Sequence, residues 1–162
     1  KYTISITALA IAVLAAGTFV SQRSDESAEK SSSISTELNT GRSVTLYKSP
    51  NCGCCEGYVA ALRREGFEVT IENRRDMATI KQQHNIPSDG QSCHTSIIGE
   101  YVVEGHVPLE AVQKLLRGQP DIAGIGLAGM PAGTPGMPGV KQTPYEIYQL
   151  NEDGTVGPYL TL

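Results

Sequence analysis

Three of the four cysteines of this chain, Cys52, Cys54 and Cys55, lie within four positions, between a β-rich run and a helical pattern. The run at 44–47 ends just before the cluster, and the segment 55–65 carries apolar residues at helical spacing. The sulfurs are therefore predicted at the N-terminus of a helix that follows a strand. Unpaired N–H groups and the helix dipole favour thiolate there, which suits nucleophiles or metal ligands.

The rest of the central region continues to alternate between strands and helices. A helix is predicted to begin at Asp76 and to stop before Pro87, and a later one to begin at Pro108 and end at Gly118. Strands are predicted at 67–71, 95–98 and 101–103. The resulting order, β-α-β-α-β-β-α, is that of a thioredoxin-like domain. The chain is therefore predicted to be an α/β protein with such a domain at 42–118.

The first forty residues have a different composition from the rest. Positions 4–20 are uncharged and rich in Ala, Ile, Leu and Val, which predicts a signal peptide or membrane anchor over 1–20, with a buried core helix as the alternative. Positions 21–41 are rich in Ser and poor in apolar residues, so a disordered linker is expected. Export is the prediction, and any membrane contact is expected only through this first segment.

Charge and cysteine number exclude two classes of protein. The chain has 162 residues, with 13 Lys and Arg against 17 Asp and Glu, and no basic block. Nucleic acid is therefore not an expected partner, because phosphate binding depends on clustered positive charge. Four cysteines are also too few for a disulfide-dense small protein.

A Gly-, Pro- and Met-rich stretch opens the C-terminal extension, 119–162. Such a composition predicts neither helix nor regular sheet between 118 and 139. A flexible linker is one interpretation. The Gly-Met-Pro contexts of Met130 and Met137 favour the other, an ordered loop that lies over part of the domain. A final hairpin is predicted from 144–150 and 156–162.

The spacing of the cysteines favours a soft metal site. Cys52 and Cys55 have the Cys-x-x-Cys spacing of a redox disulfide, but Cys54 is surplus, and a vicinal disulfide with Cys55 would be strained. Three crowded thiolates repel one another unless a cation lies among them, and thiolate with thioether ligands selects Cu(I).

Cys93 and His94 are predicted to join the cluster from the loop before the third strand. In the thioredoxin-like order that loop packs beside the first helix. Two alternatives remain at this point. One is a structural disulfide between Cys93 and a cluster cysteine, and the other is a structural zinc, whose usual paired knuckles this cluster does not match.

The remaining histidines and methionines are less specific. His84 is expected to be solvated, and His94 to be a ligand or close to one. For His106, a capping or structural role and a supporting contact to a ligand are equally open. Met77 is expected to pack within its helix, whereas packing and thioether ligation are both open for Met130 and Met137.

These motifs together resemble the CopG family, exported proteins associated with copper resistance. The resemblance rests on the segments 46–55, 92–95 and 103–108 and on the Gly-Met-Pro loop through Met137, and it covers about 44–139. It implies a thioredoxin-like domain whose extension helps to bind copper in the periplasm of Gram-negative bacteria. The ligands that it implies are Cys52, Cys54, Cys55 and Cys93, with further contributions from His94, Met130 and Met137.

Three functions follow as hypotheses. The first is a copper-binding protein that holds Cu(I) among thiolates, with several copper ions sharing sulfurs, and that interconverts Cu(I) and Cu(II) as a copper oxidoreductase. The second is a thiol-disulfide oxidoreductase that uses Cys52 and Cys55. The third is a chaperone that passes copper to a periplasmic efflux system without redox change. The sequence leaves open whether the chain is an enzyme.

Overall fold

A computed structural model describes residues 42–162, so the segments predicted at 1–20 and 21–41 lie outside the described residues. Along the chain the elements are β1 (Ser43–Lys48), α1 (Gly53–Arg64), β2 (Glu68–Asn73), α2 (Met77–Gln83), a 3-10 turn (Ser88–Gly90), β3 (His94–Ile98), β4 (Tyr101–Glu104), α3 (Leu109–Gly118), β5 (Gly124–Gly126), β6 (Glu146–Leu150) and β7 (Val156–Thr161). Within residues 42–162 no helix combines the length and the apolar character needed to cross a bilayer.

All seven strands form one sheet in the order β2-β1-β3-β4-β5-β6-β7. Strand β1 runs parallel to β2, and β3 is antiparallel to both β1 and β4. With the helices between them, these four strands form the predicted thioredoxin-like arrangement, which is confirmed. Strand β5 is parallel to β4 and extends the sheet toward the antiparallel hairpin of β6 and β7.

Helices α1 and α3 place their apolar faces in one core. Leu62 of α1 and Leu115 of α3 are completely buried in the same apolar cluster as Leu46 of β1 and Val103 of β4. Burial of apolar surface at about 25 cal/mol per Å² is the main force that fixes helices to a sheet in this way. Helix α1 is therefore fixed against the sheet, and it begins at Gly53, shortly after β1 ends at Lys48.

Strand β5 corrects the prediction that 118–139 contains no regular sheet. A Cβ at Gly124 would lie 2.0 Å from the carbonyl oxygen of Val102, and a Cβ at Gly126 would lie 2.2 Å from the Tyr148 side chain. The strand forms because glycine allows this close approach, although glycine is disfavoured in strands generally. The predicted final hairpin is confirmed, as β6 and β7.

Candidate metal centre

Three sulfurs lie at the N-terminus of α1, as the sequence predicts. Cys52 precedes the helix at the N-cap position, and Cys54 and Cys55 belong to its first turn. Cys52 and Cys55 are joined by a disulfide, whereas Cys54 is a free thiol whose Sγ atom lies 3.5 Å from that of Cys52. The described state is therefore oxidised. The sulfurs of Cys52 and Cys55 are bonded to each other and cannot act as thiolates.

The fourth sulfur comes from the loop before β3. The Sγ atom of Cys93 lies 3.7 Å from that of Cys54 and 3.5 Å from that of Cys55. The four sulfurs all lie within 4.8 Å of one another. Cys93 is itself a free thiol, so the disulfide that the sequence left open between it and the cluster is not formed.

Two buried imidazoles contact Cys93. The Nδ1 atom of His94 lies 3.3 Å from the Cys93 sulfur, and the Nε2 atom of His106 lies 3.1 Å from it. His106 Nδ1 donates a hydrogen bond of 2.8 Å to the carbonyl oxygen of Pro135, which can only accept, so the lone pair on Nε2 faces Cys93. His106, whose role the sequence left open, is thus as close to this sulfur as His94 is. His84 is half-buried at the end of α2.

Tyr58 supports both imidazoles from α1. Its ring centroid lies 4.6 Å from that of His94 and 5.6 Å from that of His106, and its hydroxyl donates to the carbonyl oxygen of Val107 at 3.0 Å. Helical spacing assigns Tyr58 to the core, where it is completely buried. Its position three residues after Cys55 was the signal that it also lies beside the cluster.

Burial keeps the His94 imidazole and the Cys93 thiol uncharged in this state. It lowers the pKa of His94 to about 3, with the neighbouring His106 and Lys81 acting in the same direction. Burial, together with the hydrogen bond and charge of Cys54, also raises the pKa of the Cys93 thiol to about 12. A metal ion that binds here would therefore have to displace the thiol proton of Cys93.

After β5, the Gly/Pro/Met stretch continues as an ordered loop that lies against α1. A Cβ at Gly136 would lie only 2.5 Å from the backbone nitrogen of Tyr58, so the two backbones touch. The Sδ atom of Met130 lies 4.0 Å from the Sγ atom of Cys54, and its side chain is 52% exposed. For Met137, which is half-buried, no comparably short sulfur contact is found within residues 42–162.

Two solved structures are similar to this chain, and both bear the name copper resistance protein CopG. Form 1 is 35% identical, with a TM-score of 0.68, and the match covers 74% of this chain and 96% of that one. The chain belongs to the CopG family. Form 2 is also 35% identical, with a TM-score of 0.69 over 74% of this chain and 97% of the other. The resemblance read from the sequence is therefore confirmed.

A family model described as a protein of unknown function, DUF411, matches residues 90–137. In this CopG family member that segment contains Cys93, His94, His106, Met130 and Met137, but not the Cys-x-Cys-Cys cluster. No curated protein matches the chain.

The donor set of this CopG family member suits a soft metal ion. The four cysteine sulfurs form one group, and Cys93 forms a second one with the imidazoles of His94 and His106. Thiolate, thioether and imidazole are all ligands of copper. The Cys52–Cys55 disulfide must first be reduced before those two sulfurs can bind as thiolates.

Proposed function

We propose that this chain is a copper-binding protein of copper resistance that holds Cu(I) in the site formed by Cys52, Cys54, Cys55 and Cys93. The observation that carries the proposal is the convergence of all four sulfurs within 4.8 Å, from two segments about forty residues apart. Membership of the CopG family supports copper over zinc, and the thiolate-rich donor set supports Cu(I) over Cu(II).

The number of sulfurs favours a shared site over separate ones. Four cysteines provide too few terminal ligands for several isolated copper ions, but sulfurs that lie 3.5–3.7 Å apart can each bridge two ions. The Met130 thioether and the His94 and His106 imidazoles stand at the periphery of the cluster. Several copper ions held by bridging thiolates are the proposed cargo.

We further propose that the site interconverts Cu(I) and Cu(II). The Cys52–Cys55 disulfide accepts two electrons and two protons when it becomes two thiols. Two Cu(I) ions that are each oxidised to Cu(II) release two electrons in total. This number equals the number that the disulfide accepts, so electrons can pass between copper and the cysteine pair without another redox partner. The chaperone hypothesis shares the site and differs in that copper keeps its oxidation state.

A second candidate function, thiol-disulfide exchange with other proteins, is favoured by one observation. Cys52 and Cys55 form a disulfide across the first turn of a helix, as a redox pair does. Against it, the loop beside the pair carries Cys93 and His94 directly before Thr95, where a thioredoxin-like oxidoreductase carries a proline that helps to bind substrate cysteines. Insulin reduction that depends on Cys52 and is indifferent to Cys54 would favour this function over copper binding.

We propose that the protein acts in the periplasm and that a copper efflux system receives the metal from it. The supporting feature is the uncharged segment 4–20. Mass spectrometry of the mature N-terminus distinguishes a cleaved signal peptide from a retained anchor.

The direct test of the function is anaerobic metal content measured together with free thiols. We expect the reduced chain to bind copper with loss of thiol reactivity at all four cysteines, and the disulfide form to bind less. Zinc in place of copper, or equal copper in both forms, would contradict the proposal.

A further inference from the structure

A buried ion pair joins α2 to β4 beside the loop that carries Cys93. The ammonium of Lys81 contacts the carboxylate of Glu104, and the two side chains are 6% and 1% exposed. Charged side chains lose their hydration on burial, and a well-packed apolar pair of similar volume is often at least as stable. The pair therefore calls for a role other than stability.

The Glu104 carboxylate anchors the chain on both sides of Cys93. Its Oε1 atom accepts a hydrogen bond of 2.6 Å from the backbone N–H of Ser92, and its Oε2 atom accepts one of 2.6 Å from the hydroxyl of Thr95. Lys81 Nζ donates to the same hydroxyl oxygen at 3.2 Å. Cys93 stands between the two anchored residues, so the carboxylate limits where its sulfur can lie.

Ser92 also ties this loop to the segment that precedes Met130. Its hydroxyl donates to the carbonyl oxygen of Gly129, whose own N–H donates to the carbonyl oxygen of Gln91 at 3.2 Å. Two loops that bring sulfur to the site are thereby connected through the adjacent residues Gln91 and Ser92, and Glu104 holds the second of them.

We propose that Glu104 is a positioning residue for the candidate metal centre. By accepting hydrogen bonds from Ser92 and Thr95, it holds Cys93 at bridging distance from the sulfurs at the N-terminus of α1. Lys81 balances the charge that this buried acceptor carries. The inference rests on the proposed function when it is tested by Cu(I) affinity. It rests on the fold alone when it is tested by the reactivity of the Cys93 thiol.

Two double variants of the full chain test the proposal. Lys81→Met with Glu104→Gln keeps an amide oxygen that accepts from the Ser92 N–H, whereas Lys81→Met with Glu104→Leu keeps no acceptor. Both lack the buried charges, so a difference between them reports the hydrogen bonds to the loop. Circular dichroism and urea unfolding establish that each variant is folded.

The first readout is Cu(I) affinity, measured by competition with a chromophoric Cu(I) chelator. Residues that orient metal ligands typically change affinity by about 10–100-fold. We expect the leucine variant to bind Cu(I) more weakly than the glutamine variant by a factor of this order. Equal affinities in the two folded variants would overturn the proposal.

The second readout contains no copper. With Cys54→Ser added and the Cys52–Cys55 disulfide intact, Cys93 is the single thiol left among the four cysteines of the chain. We expect iodoacetamide to alkylate it several-fold faster in the leucine variant, because the loop is released. Equal rates would overturn the proposal, and this result stands even if the wild-type chain binds no copper.

A milder pair of variants applies if the leucine variant does not fold. Thr95→Val removes the hydroxyl bonded to Glu104 without altering either charge, and Thr95→Ser retains it. We expect weaker Cu(I) binding and faster alkylation for valine, with recovery for serine. Wild-type behaviour of the valine variant in both measurements would overturn the proposal.

Discussion

The Sγ atom of Cys54 lies 3.7 Å from the Sγ atom of Cys93, although 39 positions separate the two residues in the chain. These residues carry the two free thiols of the described state, Cys54 on α1 and Cys93 on the loop before β3. Their proximity brings the surplus cysteine of the cluster together with the isolated cysteine in a single candidate site.

The oxidised chain should therefore contain two reactive thiols and the reduced chain four. The Cys52–Cys55 disulfide removes two of the four cysteines from titration under denaturing conditions without reductant. Thiol titration with peptide mapping by mass spectrometry checks both the number and the pairing. A mapped disulfide that includes Cys93 would contradict the described pairing.

Met130 and Met137 should differ in their effect on copper. The Met130 thioether lies 4.0 Å from the Cys54 sulfur, so Met130→Leu should remove a proposed ligand at the exposed side of the site and weaken Cu(I) binding by about tenfold. Met137→Leu is the matched control and should leave the affinity close to that of the wild type. Chelator competition measures both, and equal losses would mean that both thioethers serve the site.

Gly136 should tolerate substitution less well than Gly129. Both have positive φ, +84° and +70°, so alanine costs about 1–2 kcal/mol at either position. A Cβ at Gly136 would also lie 2.5 Å from the backbone of Tyr58, whereas one at Gly129 meets no atom within 4 Å.

Urea unfolding of Gly136→Ala and Gly129→Ala separates the two costs. We expect the larger loss of unfolding free energy at Gly136. Equal losses would show that the loop does not depend on this contact with α1.

The metal-free chain should lose stability as the pH falls below about 6.5. Burial lowers the pKa of His94 to about 3, so between these values the unfolded chain binds a proton that the folded chain does not. The loss from this one group approaches about 1.4 kcal/mol per pH unit. Urea unfolding from pH 7 to 5 should show a flatter dependence for His94→Phe, and identical slopes would contradict the assignment.

Much of the fold could be predicted from the sequence because its elements have clear periodicity and clear ends. Asp76 lies at the N-cap of α2, Pro108 lies at the N-cap of α3, and Gly118 is the last residue of α3. Strand β5 could not be predicted in this way, since Gly124 and Gly126 have no side chains to show a period. What places them in the sheet is close packing against Val102 and Tyr148, which lie far along the chain.

The candidate site was predictable where its residues cluster in sequence and less so elsewhere. The spacing of Cys52, Cys54 and Cys55 indicates chemistry directly. The pairing of Lys81 with Glu104 does not, because the two charges lie 23 positions apart and each alone is typical of a surface residue. Only the tertiary structure brings such groups together in the interior.

The most direct test of the account is copper stoichiometry after anaerobic reconstitution with Cu(I), measured by elemental analysis. Wild type is compared with Cys54→Ser and Cys93→Ser, which remove the two sulfurs that a simple Cys52–Cys55 redox pair does not need. The account predicts that wild type binds copper and that each variant binds less. Copper bound equally by all three proteins, or by none, would contradict it.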